Sequence, residues 1–165
     1  MRDKDRKDFA AFLAEFQDET DRGAALVGAA LIDQKLADTL QAFLVKSKLV
    51  DALINGSNAP LGSLSARTKA AFALGLIDSH ELHECDIIRK VRNEFAHRAH
   101  GTSFADAKIR RFCDRLKSDL PGGREVYAGN PRGMFINAVV LTVLRLTYRA
   151  EYVASERRTT KTWPY

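Results

Sequence analysis

The chain has 165 residues, 45% hydrophobic and 28% charged, close to the averages of soluble globular proteins; this excludes a disordered chain and a chain built from membrane spans. Its length suits one domain with a single sizeable core and is too short for a multidomain machine. Lys and Arg outnumber Asp and Glu by 26 to 21, and the excess is unevenly placed: residues 1–85 carry −3, residues 86–117 carry +5 and residues 118–165 carry +3.

Residues 1–8 alternate basic and acidic side chains with no apolar run behind them, which is unlike a secretory signal peptide. Phe9, Phe12, Leu13 and Phe16 then recur at the three-and-four spacing that lays one apolar stripe along a helix. A longer apolar segment, Gly23 to Val45, predicts a central and mostly buried helix. Its Gly23, Ala24, Gly28, Ala29 and Ala30 are small enough to let a neighbouring helix come close. A short helix around Leu49 to Ile54 should end in the turn formers at 55–58. Ser63 is placed to cap a helix reaching about Leu76, and Ser79 to cap the next, which carries Leu82, Ile87, Val91 and Phe95 and should stop at Gly101. Thr102 or Ser103 can cap a helix to about Leu116. Pro121 to Arg132, with three glycines, reads as a loop, and a last helix is expected from Met134 to Val153.

Nothing alternates with the period of a strand. The expected fold is therefore an all-α, single-domain helical bundle of about six or seven helices over residues 1–154, with a loosely ordered polar tail over 155–165. The best candidate for a membrane span, Ala138 to Leu144, is stopped by Arg145, so no membrane partner is expected and a cytoplasmic location is. Cys85 and Cys113 are too few for a disulfide framework and are expected to be reduced and structural.

The sharpest local feature is Arg92-Asn93-Glu94-Phe95-Ala96-His97, near the end of a predicted helix. A His can take the proton from a ribose 2′-hydroxyl and an Arg can neutralise charge building on the phosphate, so Arg92, Asn93 and His97 are the catalytic candidates if the protein cleaves RNA. On a straight helix Asn93 and His97 lie about 40° apart, but Arg92 and His97 about 140°. Aiming both at one atom therefore requires fraying after His97 or a second copy of the motif across a symmetric dimer. The alternative is a polar helix terminus whose dipole favours a basic residue. Around the motif stand Arg89, Lys90, Arg98, Lys108, Arg110, Arg111 and Arg115, a candidate surface for nucleic acid or another partner.

The four histidines form two H-x-x-H pairs, His80 with His83 and His97 with His100. Seventeen residues of one helix separate the pairs by about 25 Å and only an antiparallel dimer could join them, so no metal is expected; there is no P-loop or G-x-G-x-x-G, and no cofactor is expected. A helix-turn-helix fails on charge: its second helix would lead with His80, Glu81, His83, Glu84 and Asp86, which would repel a duplex.

Several long segments carry a resemblance. Residues 15–19 (Glu-Phe-Gln-Asp-Glu) and 21–30 (Asp-Arg-Gly-Ala-Ala-Leu-Val-Gly-Ala-Ala), the stretch 58–67 from Asn58-Ala59-Pro60 to Ala66-Arg67, Lys69 to Ile77, and Ile88 to His97 resemble the mannitol repressor family in the right order, over about residues 8–150. That resemblance implies an all-helical cytoplasmic negative regulator of mannitol uptake and use that lacks an ordinary DNA-binding motif. Arg92 to His97 also matches the R-x4-H pattern of HEPN domains. Many of those are metal-independent ribonucleases that pair two motifs across a dimer; others are inactive binding modules. Arg22 and Arg67, which fall within the matching segments, are expected to pair with Asp21, Asp33 or Glu94 inside the bundle; with Arg92 and His97 they form the alternative, an anion pocket. The expectation is thus a homodimeric transcriptional regulator acting through nucleic acid or a regulatory protein, with a metal-independent endoribonuclease as the alternative.

Overall fold

The computed structural model describes residues 2–56, 58–98 and 100–164. Met1, Ser57 of the turn at 55–58, Ala99, Tyr165 of the tail and the side chain of Asp8 lie outside the described residues. Within them every regular element is helical: α1 (Asp3–Asp18), α2 (Asp21–Phe43), α3 (Lys48–Asn55), α4 (Leu64–Ala73), α5 (Ser79–His97), α6 (Ala107–Cys113), α7 (Pro131–Leu146) and α8 (Arg149–Ala154), with a 3₁₀ turn at Arg124–Tyr127. The class is all-α, with seven helices of seven or more residues and the shorter α8. None is long and apolar enough to cross a membrane.

The chain forms two compact units, one of residues 1–30 and 87–141, the other of residues 31–86 and 142–165; α2, α5 and α7 contribute to both. In the first unit Phe16, Ala24, Ala25, Ala29, Val91, Phe95, Ile109, Phe135 and Val139 are buried. Phe104 lies 5.0 Å from the Phe95 ring and 5.2 Å from that of Phe135, ring to ring. Gly28 is required by close approach: a Cβ there would stand 3.0 Å from Phe16 Cζ and 3.0 Å from a methyl of Val139. In the second unit Ile32, Leu36, Leu40, Ile54, Leu64, Ala71, Ile77, Val143 and Leu146 are buried.

Helix boundaries follow local chemistry. Ser63 accepts a hydrogen bond from the Ala66 amide and caps α4 as expected, and Gly75, at φ +71, supplies the left-handed turn after it. The cap of α5 is one residue earlier than expected. Asp78, not Ser79, accepts from the Glu81 amide at 2.8 Å while Glu81 accepts from the Asp78 amide at 2.9 Å, a reciprocal capping box. α6 begins at Ala107 instead of near Ser103, because Ser103 accepts from the Ala105 amide and its carbonyl from the Asp106 amide, which closes a turn first. The last expected helix is two, α7 and α8, separated at Thr147–Tyr148. Thr147 donates its hydroxyl back to the Val143 carbonyl at 2.8 Å, a bond of the kind that bends helices.

Candidate functional site

The second unit holds two charged networks, both internal. Arg67 is only 8% exposed. Its Nε donates to the Leu61 carbonyl at 2.8 Å, one terminal nitrogen reaches Asp33 Oδ2 at 2.6 Å and the other the Ile54 carbonyl at 3.0 Å. Burying a guanidinium requires such saturation. Of the internal pairings expected for it, the one formed is with Asp33, and the guanidinium ties α2, the end of α3 and the following loop to α4. Glu81 and Glu84 are each 1% exposed, and Arg149 binds Glu81 Oε1 at 2.7 Å while also donating to the Leu76 carbonyl. Glu81 and Glu84 are therefore interior, while His80, His83 and Asp86 on the same stretch are half-buried. Cys85 lies in the same stretch, its thiol pushed up to about 12 chiefly by burial and then by Glu81 and Glu84. Cys113, in the first unit, is likewise raised to about 12 by burial first and Asp114 second. Neither is disulfide-bonded, and both are poor nucleophiles at neutral pH.

In the first unit the motif Arg92 to His97 occupies the last turns of α5. Arg92 and Asn93 are half-buried and His97 is exposed. Lys108 Nζ holds Oε1 of Glu94, between them, at 2.6 Å, and Arg98 lies 3.8 Å from its Oε2. Arg98 also meets Asp106 Oδ2 at 3.4 Å. Arg22 donates to the Arg98 carbonyl just beyond α5, while Asp21 pairs with Arg132 Nε at 3.2 Å and accepts from the Phe104 amide at 3.0 Å. These contacts fix Arg98, Phe104 and Asp106 against the ends of α2 and α5.

This network divides the basic residues into two groups. Arg98 and Lys108 are held by carboxylates, and Arg22 by a carbonyl. Arg89, Lys90 and Arg115 have partners as well. Among the described residues no polar partner is found for Arg92, Asn93, His97, Arg110 or Arg111, and both Arg110 and Arg111 are exposed on α6. Ile109 and Cys113 anchor α6 through its buried face, which turns its arginines outward. Within residues 86–117 the cations with no polar partner among the described residues are therefore Arg92, Arg110 and Arg111. The described residues contain no group of three or more His, Cys, Asp or Glu placed to hold a metal ion.

Comparison with known proteins decides the family: residues 28–120, more than half of the chain, match the family model described as mannitol repressor. The chain belongs to the mannitol repressor family. The match runs from within α2 to beyond α6 and so includes the Arg67 network, the Arg92 to His97 motif and the arginines of α6. No curated protein matches the chain in sequence. Among solved structures, the fold is similar to a chain in the X-ray structure of the MtlR–HPr complex from Escherichia coli, with a TM-score of 0.52 and 24% identity over 87% of this chain and 99% of that one. The chain thus shares the fold of that protein.

The sequence reading did not place Arg149, Glu81 and Glu84 in the interior. One signal was present: a Glu three residues after an Asp marks a capping box, and a capping Glu at a helix start is not free to face a ligand.

Proposed function

We propose that this chain is a cytoplasmic transcriptional regulator of the mannitol-operon repressor type. It works without a standard helix-turn-helix, through a regulatory protein partner of the HPr kind. The observation that carries this reading is membership of the mannitol repressor family, joined to the likeness of the fold to a chain solved as a complex with HPr. The start of α5 supports it, because two of the side chains that a recognition helix would turn to bases, Glu81 and Glu84, are interior here. Arg92, Arg110 and Arg111 are the residues assigned to contact with the partner or with nucleic acid, since their charges are not spent internally.

The test is calorimetric titration of the purified protein with HPr from the same organism, beside a titration with the promoter of its sugar-alcohol operon over a salt series. Saturable HPr binding weakened by the Arg110→Glu, Arg111→Glu double variant supports the reading and the surface together. Absence of HPr binding, with promoter affinity that falls steeply with salt, replaces the protein partner by phosphate contacts.

A second reading is a homodimeric, metal-independent endoribonuclease of the HEPN type. One observation favours it: Arg92, Asn93 and His97 stand at the end of α5 with no polar partner among the described residues. Incubation with single-stranded RNA in chelator, beside His97→Ala, decides it; equal cleavage by that variant, or no cleavage of several RNAs, removes it.

A further inference from the structure

The corner where α2 passes into α3 holds a cleft of about 380 Å³, within the size range of small-molecule sites. Its walls come from four places in the chain: Gln41 at the end of α2, Val45 and Lys46 in the connection, Val50 and Asp51 on α3, and Arg157 from the segment after α8. Arg157 is fixed there. One of its terminal nitrogens donates to the Gln41 and Leu44 carbonyls, both at 3.1 Å, and the next residue's amide donates to the Phe43 carbonyl at 2.7 Å. The C-terminal segment thus supplies donors to the carbonyls at the end of α2, which the helix itself cannot satisfy.

What remains uncommitted in the cleft has a defined chemistry. Lys46 has no polar partner among the described residues, and Nε and the second terminal nitrogen of Arg157 are also free there. Gln41 donates its amide to Asp51 Oδ1 at 2.8 Å, which holds both side chains in place and leaves Gln41 Oε1 and Asp51 Oδ2 as acceptors. The two valines give an apolar floor. Two cations would meet an anionic head, and two oriented acceptors would meet hydroxyl groups.

We infer that this cleft is a binding site for a small hydroxylated organic anion, a sugar or sugar-alcohol phosphate in chemical class. Cationic donors alone would take any phosphate; the Gln41–Asp51 pair is what selects one carrying hydroxyls. The bound ligand joins the C-terminal segment to the α2–α3 corner through Arg157, so occupancy is felt in the order of residues 155–164. The site is separate from the partner surface of α5 and α6, and its failure would leave that reading untouched.

The full chain is titrated calorimetrically with glucose 6-phosphate, inorganic phosphate and uncharged sorbitol. Glucose 6-phosphate should bind saturably, inorganic phosphate at least about tenfold more weakly, and sorbitol not measurably. Lys46→Gln should weaken glucose 6-phosphate at least about tenfold, the equivalent of about 1.4 kcal/mol, and because Lys46 is exposed and unpartnered its loss leaves folding intact. Asp51→Asn should move the two anions in opposite directions, tightening inorganic phosphate by removing a like charge and weakening glucose 6-phosphate by removing a hydroxyl acceptor. Bound glucose 6-phosphate should also slow tryptic cleavage at Arg157 and Arg158. No saturable binding of glucose 6-phosphate up to about 10 mM, or unchanged binding by Lys46→Gln, overturns the site. Equal affinity for the two anions overturns the hydroxyl recognition.

Discussion

Arg67→Ala separates a structural from a ligand-binding role for the arginine that joins α4 to α2 and α3. The variant removes the donor to Asp33 Oδ2 at 2.6 Å and the donors to the Leu61 and Ile54 carbonyls. Asp33 is 28% exposed, but its second oxygen is already buried without a partner, so its carboxylate has little to turn to. Removing one partner of a buried pair costs about 3–5 kcal/mol; partial access of water to Asp33 lowers the cost of its stranded charge while the orphaned carbonyls raise the total, so we expect about 4 kcal/mol. Arg67→Lys retains the Asp33 pair but cannot reach both carbonyls, which sets its cost at about 1.5 kcal/mol. Urea denaturation followed by far-UV circular dichroism resolves the series, since with a slope near 2 kcal/mol per molar the alanine midpoint falls by about 2 M. Asp33→Asn in the Arg67→Ala background should recover part of the loss by removing the stranded charge. A stability within about 0.5 kcal/mol of wild type for Arg67→Ala would refute the reasoning and return Arg67 to the alternative of an anion pocket.

Three further outcomes are expected. Asp78→Ala breaks the α5 capping box and should cost about 1 kcal/mol in the same denaturation assay, whereas Ser79→Ala should change stability by less than about 0.5 kcal/mol; the reverse order would place the cap at Ser79. Gly28→Ala sets a methyl group 3.0 Å from Phe16 and Val139 and should destabilise by about 1–3 kcal/mol, against the usual gain from replacing glycine in a helix. Cys85 and Cys113 keep their protons to about pH 12 when folded but lose them near 9.0 when unfolded, so the unfolded state binds fewer protons between these values. Stability from the thiols is full below pH 9.0 and falls toward pH 12; a Cys85→Ala, Cys113→Ala variant should lose less stability across that window than wild type when melting is compared at fixed pH.

Features set by neighbours in the chain were legible in the sequence. The stripe of Phe9, Phe12 and Phe16, the Ser63 cap and the glycine after α4 are each written within a few positions, because capping and periodicity act over one or two helical turns. The Asp78 cap was misplaced by one residue for the same reason: two adjacent residues could each serve, and the reciprocal bond with Glu81 chose between them. Pairings across long stretches of chain were not legible. Arg149 and Glu81 are 68 residues apart, and Arg157 reaches the end of α2 across more than a hundred; neither carries a local signature. The same limit governs the charge. A count of basic residues over 86–117 treats all nine alike, yet Glu94 and Asp106 hold Lys108 and Arg98, while Arg92, Arg110 and Arg111 keep their full field. Desolvating an anionic partner is repaid only by cations not already neutralised by a neighbouring carboxylate. The binding capacity of residues 86–117 therefore follows the arginines with no partner among the described residues and not the net charge. By the same logic Glu94→Gln, which adds no basic residue, enlarges that capacity by releasing Lys108 from its 2.6 Å pair.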